Sequence, residues 1–119
     1  MSYDIDLCHP ITGEVLELEH PHEMHGGTYV LGGTTVMSLN ITYNYSEYYY
    51  NHIDSELGIR WIYGKTGAET IPVLKKACES LADDVHDDYW EPTEGNAKQA
   101  LLQLIALAEL RPDGVWQGD

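Results

Sequence analysis

Phenylalanine is absent from this 119-residue chain, and Lys and Arg together number only six. Without Phe, the aromatic load falls on nine Tyr and three Trp. Their polar tips need partners when buried, so many of them belong at a surface or a rim. The bases are Arg60, Lys65, Lys75, Lys76, Lys98 and Arg111, so none precedes residue 60, while twenty Asp and Glu bring the formal net charge to −14. Nucleic-acid affinity comes mainly from Lys and Arg displacing counterions, which excludes direct binding to phosphate backbones. Anionic membranes are disfavoured for the same reason. Such a surface attracts a basic protein groove or a cation, and it also aids solubility. Two cysteines, Cys8 and Cys78, are too few for a disulfide framework. No apolar run reaches the length of a membrane span, and the opening residues from Met1 to Asp6 carry neither a basic nor an apolar signal region. The expected location is the cytoplasm.

The composition is otherwise that of a folded protein. An apolar fraction of 43% suits a packed core, and the length suits one domain over residues 1–119. Tyr3, Ile5 and Leu7 alternate with Asp4 and Asp6, which predicts a half-buried strand. Residues 14–19 alternate again beyond the turn-rich His9-Pro10-Ile11-Thr12-Gly13, which predicts a β-hairpin. A third strand is expected over 28–31. Thr34 or Thr35 is placed to cap a helix running to about His52. Leu39, Ile41, Tyr43 and Tyr45 also alternate as in a strand, and the uninterrupted length decides for the helix. Residues 56–63 read as one helical turn. Thr70 is placed to cap a second helix, with Ile71 and Pro72 in its first turn. Thr93 caps the last, whose apolar residues from Ala97 to Ala108 recur at helical spacing until Arg111-Pro112-Asp113-Gly114 ends it. Strands before helices predict an α+β fold: a small antiparallel sheet, made of the N-terminal hairpin plus a third strand, followed by about three helices.

Three stretches have the residue types that carry chemistry. His20, His22 and His25 stand in an H-x-H-x-x-H spacing, with Cys8 and His9 in a nearby turn. Zinc takes tetrahedral nitrogen and sulfur ligands, so His20, His22, His25 and Cys8 are the candidate ligands and zinc the candidate cofactor. The hairpin geometry sets Cys8 and His20 at opposite ends, which argues against one shared ion. The acidic run Asp83-Asp84-Val85-His86-Asp87-Asp88 offers the carboxylate oxygens that calcium or magnesium prefers, but it lacks the D-x-D-x-D-G pattern and distal Glu of an EF-hand, and the alternative is a hydrated loop. The tyrosines of 43–50 divide between two helix sides, one for the core and one for contact. Gly64-Lys65-Thr66 lacks the upstream glycine of a phosphate loop, since Ile59 stands there. No nucleophile, base and orienter set can be named, so an enzyme is not expected.

Several segments resemble a family of small phage and prophage proteins. They are Asn40-Ile41-Thr42-Tyr43-Asn44-Tyr45, Gly58-Ile59-Arg60-Trp61-Ile62-Tyr63-Gly64-Lys65-Thr66-Gly67, Asp88-Tyr89-Trp90, Thr93-Glu94-Gly95-Asn96-Ala97 and Arg111-Pro112-Asp113-Gly114-Val115-Trp116. The resemblance covers most of the chain and implies no catalytic residue. Within the His-rich loop it extends only to His22. Small acidic phage proteins include inhibitors of bacterial defence, among them anti-CRISPR proteins, some of which bind zinc. The function expected by that analogy is a phage-encoded inhibitor whose carboxylates occupy a basic nucleic-acid channel of a host defence protein, such as a Cas nuclease. The candidate contact residues are Asp83, Asp84, Asp87, Asp88 and Glu91, with Tyr48 and Tyr49 as anchors. The alternatives are a small zinc-binding structural domain, and a binder of small molecules or signalling nucleotides whose pocket is lined by Tyr43, Asn44 and Arg60.

Overall fold

The fold is described from a computed structural model over residues 1–22 and 34–119, without the side chains of Pro21, His22 and Thr34. The expected third strand at 28–31 lies outside the described residues. Alternation in the first strand, β1 (Ser2–Cys8), buries Tyr3, Ile5 and Leu7 on one face. Two short strands follow, β2 (Glu17–His22) and β3 (Thr34–Val36), which pair with each other antiparallel. Next come β4 (Ser38–Thr42), α1 (Ser46–His52), α2 (Gly67–Ser80), α3 (Glu94–Leu110) and β5 (Val115–Gly118). β1 is the centre of an antiparallel sheet in the order β4-β1-β5. Its registers set Tyr3 opposite Ile41, Ile5 opposite Leu39 and Leu7 opposite Trp116. The α+β architecture with a small antiparallel sheet and three α-helices is the expected one.

The strand pairing differs from the expected hairpin. The turn closes with His9 N–H donating to Glu14 O (2.7 Å) and Leu16 N–H to Leu7 O (2.9 Å). Met37 then intervenes: Leu7 N–H donates to Met37 O (2.9 Å) and Met37 N–H to Leu16 O (2.8 Å). β1 thus hands its edge to β4, which supplies Leu39 and Ile41 to the core, and β2 peels off to pair with β3. Pro21 in β2 also brings no amide to a central ladder.

The expected helix from 35 to 52 is in fact two elements. Met37, Leu39 and Ile41 are buried at period two, so this half is strand. Thr42 then caps a 3₁₀-helix (Tyr43–Tyr45) through its hydroxyl, which accepts from Asn44 N–H (3.2 Å), and α1 begins at once. Length misled because no turn residue separates the two. Residues Gly58–Ile62 do form a helical turn, as a second 3₁₀-helix. α2 begins before Thr70. Thr66 and Glu69 form a reciprocal capping box, and Thr70 is buried, accepting from Trp116 Nε1–H (2.8 Å). Pro72 accordingly lies inside the helix.

The C-terminal strand β5 was not foreseen. Trp116 anchors it, fully buried, and Trp116 N–H donates to Lys65 O (3.0 Å). The Arg111–Gly114 turn also answers the open end of α2: Gly67 N–H donates to Gly114 O (2.8 Å) and Ala68 N–H to Pro112 O (3.0 Å). α2 and α3 pack together, with Leu74, Ala77, Ala100, Leu101 and Leu104 joining the core. No helix of the described residues is long and apolar enough to cross a membrane.

A clamped acidic segment as candidate functional site

The acidic segment between α2 and α3 has no regular secondary structure, yet it is tied down along its length. Thr93 caps α3 as expected, accepting from Asn96 N–H (3.1 Å). Asn96 is buried, and its side chain turns back to hold the segment. Its Oδ1 accepts from His86 N–H (3.0 Å), and its Nδ2 donates to Asp88 O (3.0 Å) and Glu91 O (3.1 Å). Gly95 lets the backbone come close: a Cβ there would stand 2.5 Å from Val85 N and 2.6 Å from Asp84 C. Asp84 Oδ1 accepts from Gly95 N–H (3.0 Å), placing a carboxylate on the positive end of α3. Lys98 Nζ donates to Asp83 (2.7 Å).

Tyrosines buttress the same segment from the other side. The Tyr45 hydroxyl donates to Tyr89 O, Tyr48 to Pro92 O (2.6 Å) and Tyr49 to Ala97 O (3.0 Å). Asn44 Nδ2 donates to Trp90 O (2.8 Å), and Tyr89 Oη accepts from Thr42 N–H (2.8 Å) at the outer edge of β4. Burial pushes the Tyr89 phenol up to about 12. It likewise raises Tyr45 and Tyr49 above the ordinary phenol range. Partial burial raises Tyr48 too, and the nearby Glu94, Asp84 and Glu47 add to it.

These bonds sort the predicted contact residues. Asp83 is paired with Lys98, Asp84 caps α3, and Asp88 Oδ1 accepts from Trp90 N–H (3.0 Å). The carboxylates of Asp87 and Glu91 are exposed, and neither takes a hydrogen bond or ion pair among the described residues. Tyr48 is partly exposed. Tyr49 is fully buried under α3, which corrects its assignment as a surface anchor: the i+4 spacing from Tyr45 puts both on the core side. Sequence reasoning passed over Trp90, 44% exposed, and Val85, 50% exposed, both on this segment. It also missed the clamp. A Gly and an Asn in the first turn of a helix are poor helix formers, and that was the available signal.

Elsewhere most positive charge is answered by the chain itself. Arg60 Nη2 donates to Tyr43 Oη (3.1 Å) and Nε to Asp119 O (2.9 Å). Its guanidinium lies over the Tyr3 ring (4.9 Å) and the Tyr43 ring (5.6 Å). Lys65 Nζ sits 4.2 Å from the centre of the Trp61 ring and donates to Trp61 O (2.8 Å). Arg111 holds Asp113 bidentately, both bonds 3.0 Å, which keeps that carboxyl below its usual range. The suggested Tyr43, Asn44 and Arg60 pocket is therefore divided: Tyr43 and Arg60 bind each other, and Asn44 faces Trp90.

Of the candidate zinc ligands only Cys8 and His20 have described side chains, and no group of three or more His, Cys, Asp or Glu placed to hold a metal ion is found among the described residues. Cys8 is buried in the core, and burial first, then Asp6, raises its thiol above the ordinary range. His9 Nδ1 accepts from Ile11 N–H (3.1 Å) and Thr12 N–H (3.3 Å), so it shapes its own turn. His20 is exposed on β2, beside a groove of about 620 Å³ lined also by Leu18, Met37 and Leu110. The His22 side chain and all of His25 lie outside the described residues. No protein-family model, curated protein or solved structure matches the chain.

Proposed function

We propose that the chain is an acidic protein inhibitor that binds a bacterial defence nuclease, of the CRISPR effector kind, inside the host cytoplasm. It acts by occupying the basic channel that nucleic acid would otherwise enter. The supporting observation is the division of charge. Four of the six bases, Arg60, Lys65, Lys98 and Arg111, are engaged within the chain, while Asp87 and Glu91 project unanswered from a segment held in one shape. A clamped segment loses little entropy on binding, and complementary charge speeds the encounter. The analogy with small acidic phage proteins, some of which inhibit bacterial defence, supports the same class of partner.

The test is a mobility-shift competition between the chain and labelled target DNA for purified effector nucleases. An excess of chain should release the DNA, and the double variant Asp87→Asn/Glu91→Gln should do so poorly. An effector that binds the chain and DNA together would overturn the channel-blocking mechanism.

A further inference from the structure

The residue beside the unanswered carboxylates is an exposed tryptophan, and its presentation is specific. Asp88, Tyr89, Trp90 and Glu91 form a tight turn, closed by Glu91 N–H donating to Asp88 O (3.1 Å). The two central residues differ in burial. Tyr89 points inward, its hydroxyl at the edge of β4 and its ring 5.5 Å from Tyr45. Trp90 points outward, 44% exposed, with its ring set edge-on to Tyr89 at 5.2 Å and 74°. The Trp90 backbone is pinned at both ends, its N–H by Asp88 Oδ1 (3.0 Å) and its carbonyl by Asn44 Nδ2 (2.8 Å). The turn thus presents the indole from a backbone held at both its amide and its carbonyl.

We infer that this turn recognises an arginine side chain of the basic partner, a step that rests on the function proposed above. The guanidinium stacks on the Trp90 indole, while the carboxylate of Glu91, next in the chain, accepts its hydrogen bonds and Asp87 adds negative charge to the same exposed segment. Tryptophan is the best ring for a cation, and the two oxygens of a carboxylate match the planar donor fork of arginine. Lysine offers a compact, strongly hydrated charge that fits this combination less well. The turn therefore discriminates between basic side chains, whereas the rest of the acidic surface responds only to charge.

The experiment is calorimetric titration of the full chain with nona-arginine and with nona-lysine at low salt. The wild type should bind the arginine peptide about fivefold more tightly. Trp90→Leu should lose that preference while keeping its affinity for the lysine peptide, and Trp90→Phe should keep part of it. Asp87→Asn/Glu91→Gln should weaken both peptides. Trp90→Leu gives up the edge contact with Tyr89, so a small fall in melting temperature is expected for it, while Trp90→Phe and Asp87→Asn/Glu91→Gln should melt close to the wild type. Equal affinity for the two peptides, or a preference that survives in Trp90→Leu, overturns the arginine inference and leaves the basic-partner reading standing. Failure of both peptides to bind overturns both.

Discussion

Two regions of this protein set charged groups beside tyrosines, and they end in opposite states. Around Arg60 the charge is consumed internally: two rings lie beside the guanidinium, and the Tyr43 hydroxyl and the Asp119 carbonyl accept its hydrogen bonds. In the segment from 83 to 91 the hydrogen bonds are spent on the backbone, through Asn96, Asn44 and the tyrosine hydroxyls, while two carboxylates are left over. The first arrangement is how a chain uses a charge to fold. The second leaves two carboxylates exposed on a backbone that is itself held in place. High charge density alone does not separate them; the accounting of partners does.

Raising the pH should disturb both regions at once. Tyr89 titrates near 12, and burial raises Tyr45, Tyr49 and Tyr63 above the ordinary value as well. A folded pKa above the unfolded one of about 10 means that stability from the neutral phenols is complete below that pH. It is lost as pH rises through the folded values. Phenolate absorbance followed with circular dichroism should show these tyrosines ionising together with unfolding.

Single substitutions then separate the two regions. Asn96→Ala strands the His86 amide and two carbonyls, and should cost about 3 kcal/mol with faster amide exchange confined to 86–91. Gly95→Ala drives a methyl into the Asp84 and Val85 backbone and should cost about 2 kcal/mol, read by thermal melting. Arg60→Gln removes the cation from two rings and should cost about 1 kcal/mol, with exchange at 86–91 unchanged. Asp87→Asn/Glu91→Gln should stay within about 0.5 kcal/mol of the wild type, because neither carboxylate has a partner among the described residues.

The sequence was informative wherever one element followed one period. β1 and α3 have clean alternation or helical spacing and clear boundaries, and both formed as expected. The stretch from 34 to 52 defeated the reading because a strand passes into a helix with no breaker, and Thr42 serves as the only punctuation. β5 is four residues long and depends on Trp116 finding Thr70 across the fold, a partner invisible to local pattern. For the site, composition located the acidic run, but not which acids are spent. Asp83, Asp84 and Asp88 look the same as Asp87 until Lys98, Gly95 and Trp90 are brought beside them. Tyr48 and Tyr49 likewise differ only in which side of α1 meets α3.

The most direct test compares affinities for an effector nuclease selected by the mobility-shift competition. Wild type, Arg60→Gln and Asp87→Asn/Glu91→Gln would be titrated between about 50 and 200 mM salt. The wild type and Arg60→Gln should bind alike and weaken steeply with salt, while the acidic double variant should bind weakly throughout with a shallower slope. Loss of binding in Arg60→Gln, with the acidic variant unimpaired, would contradict this expectation and move the functional surface to the Arg60 cluster.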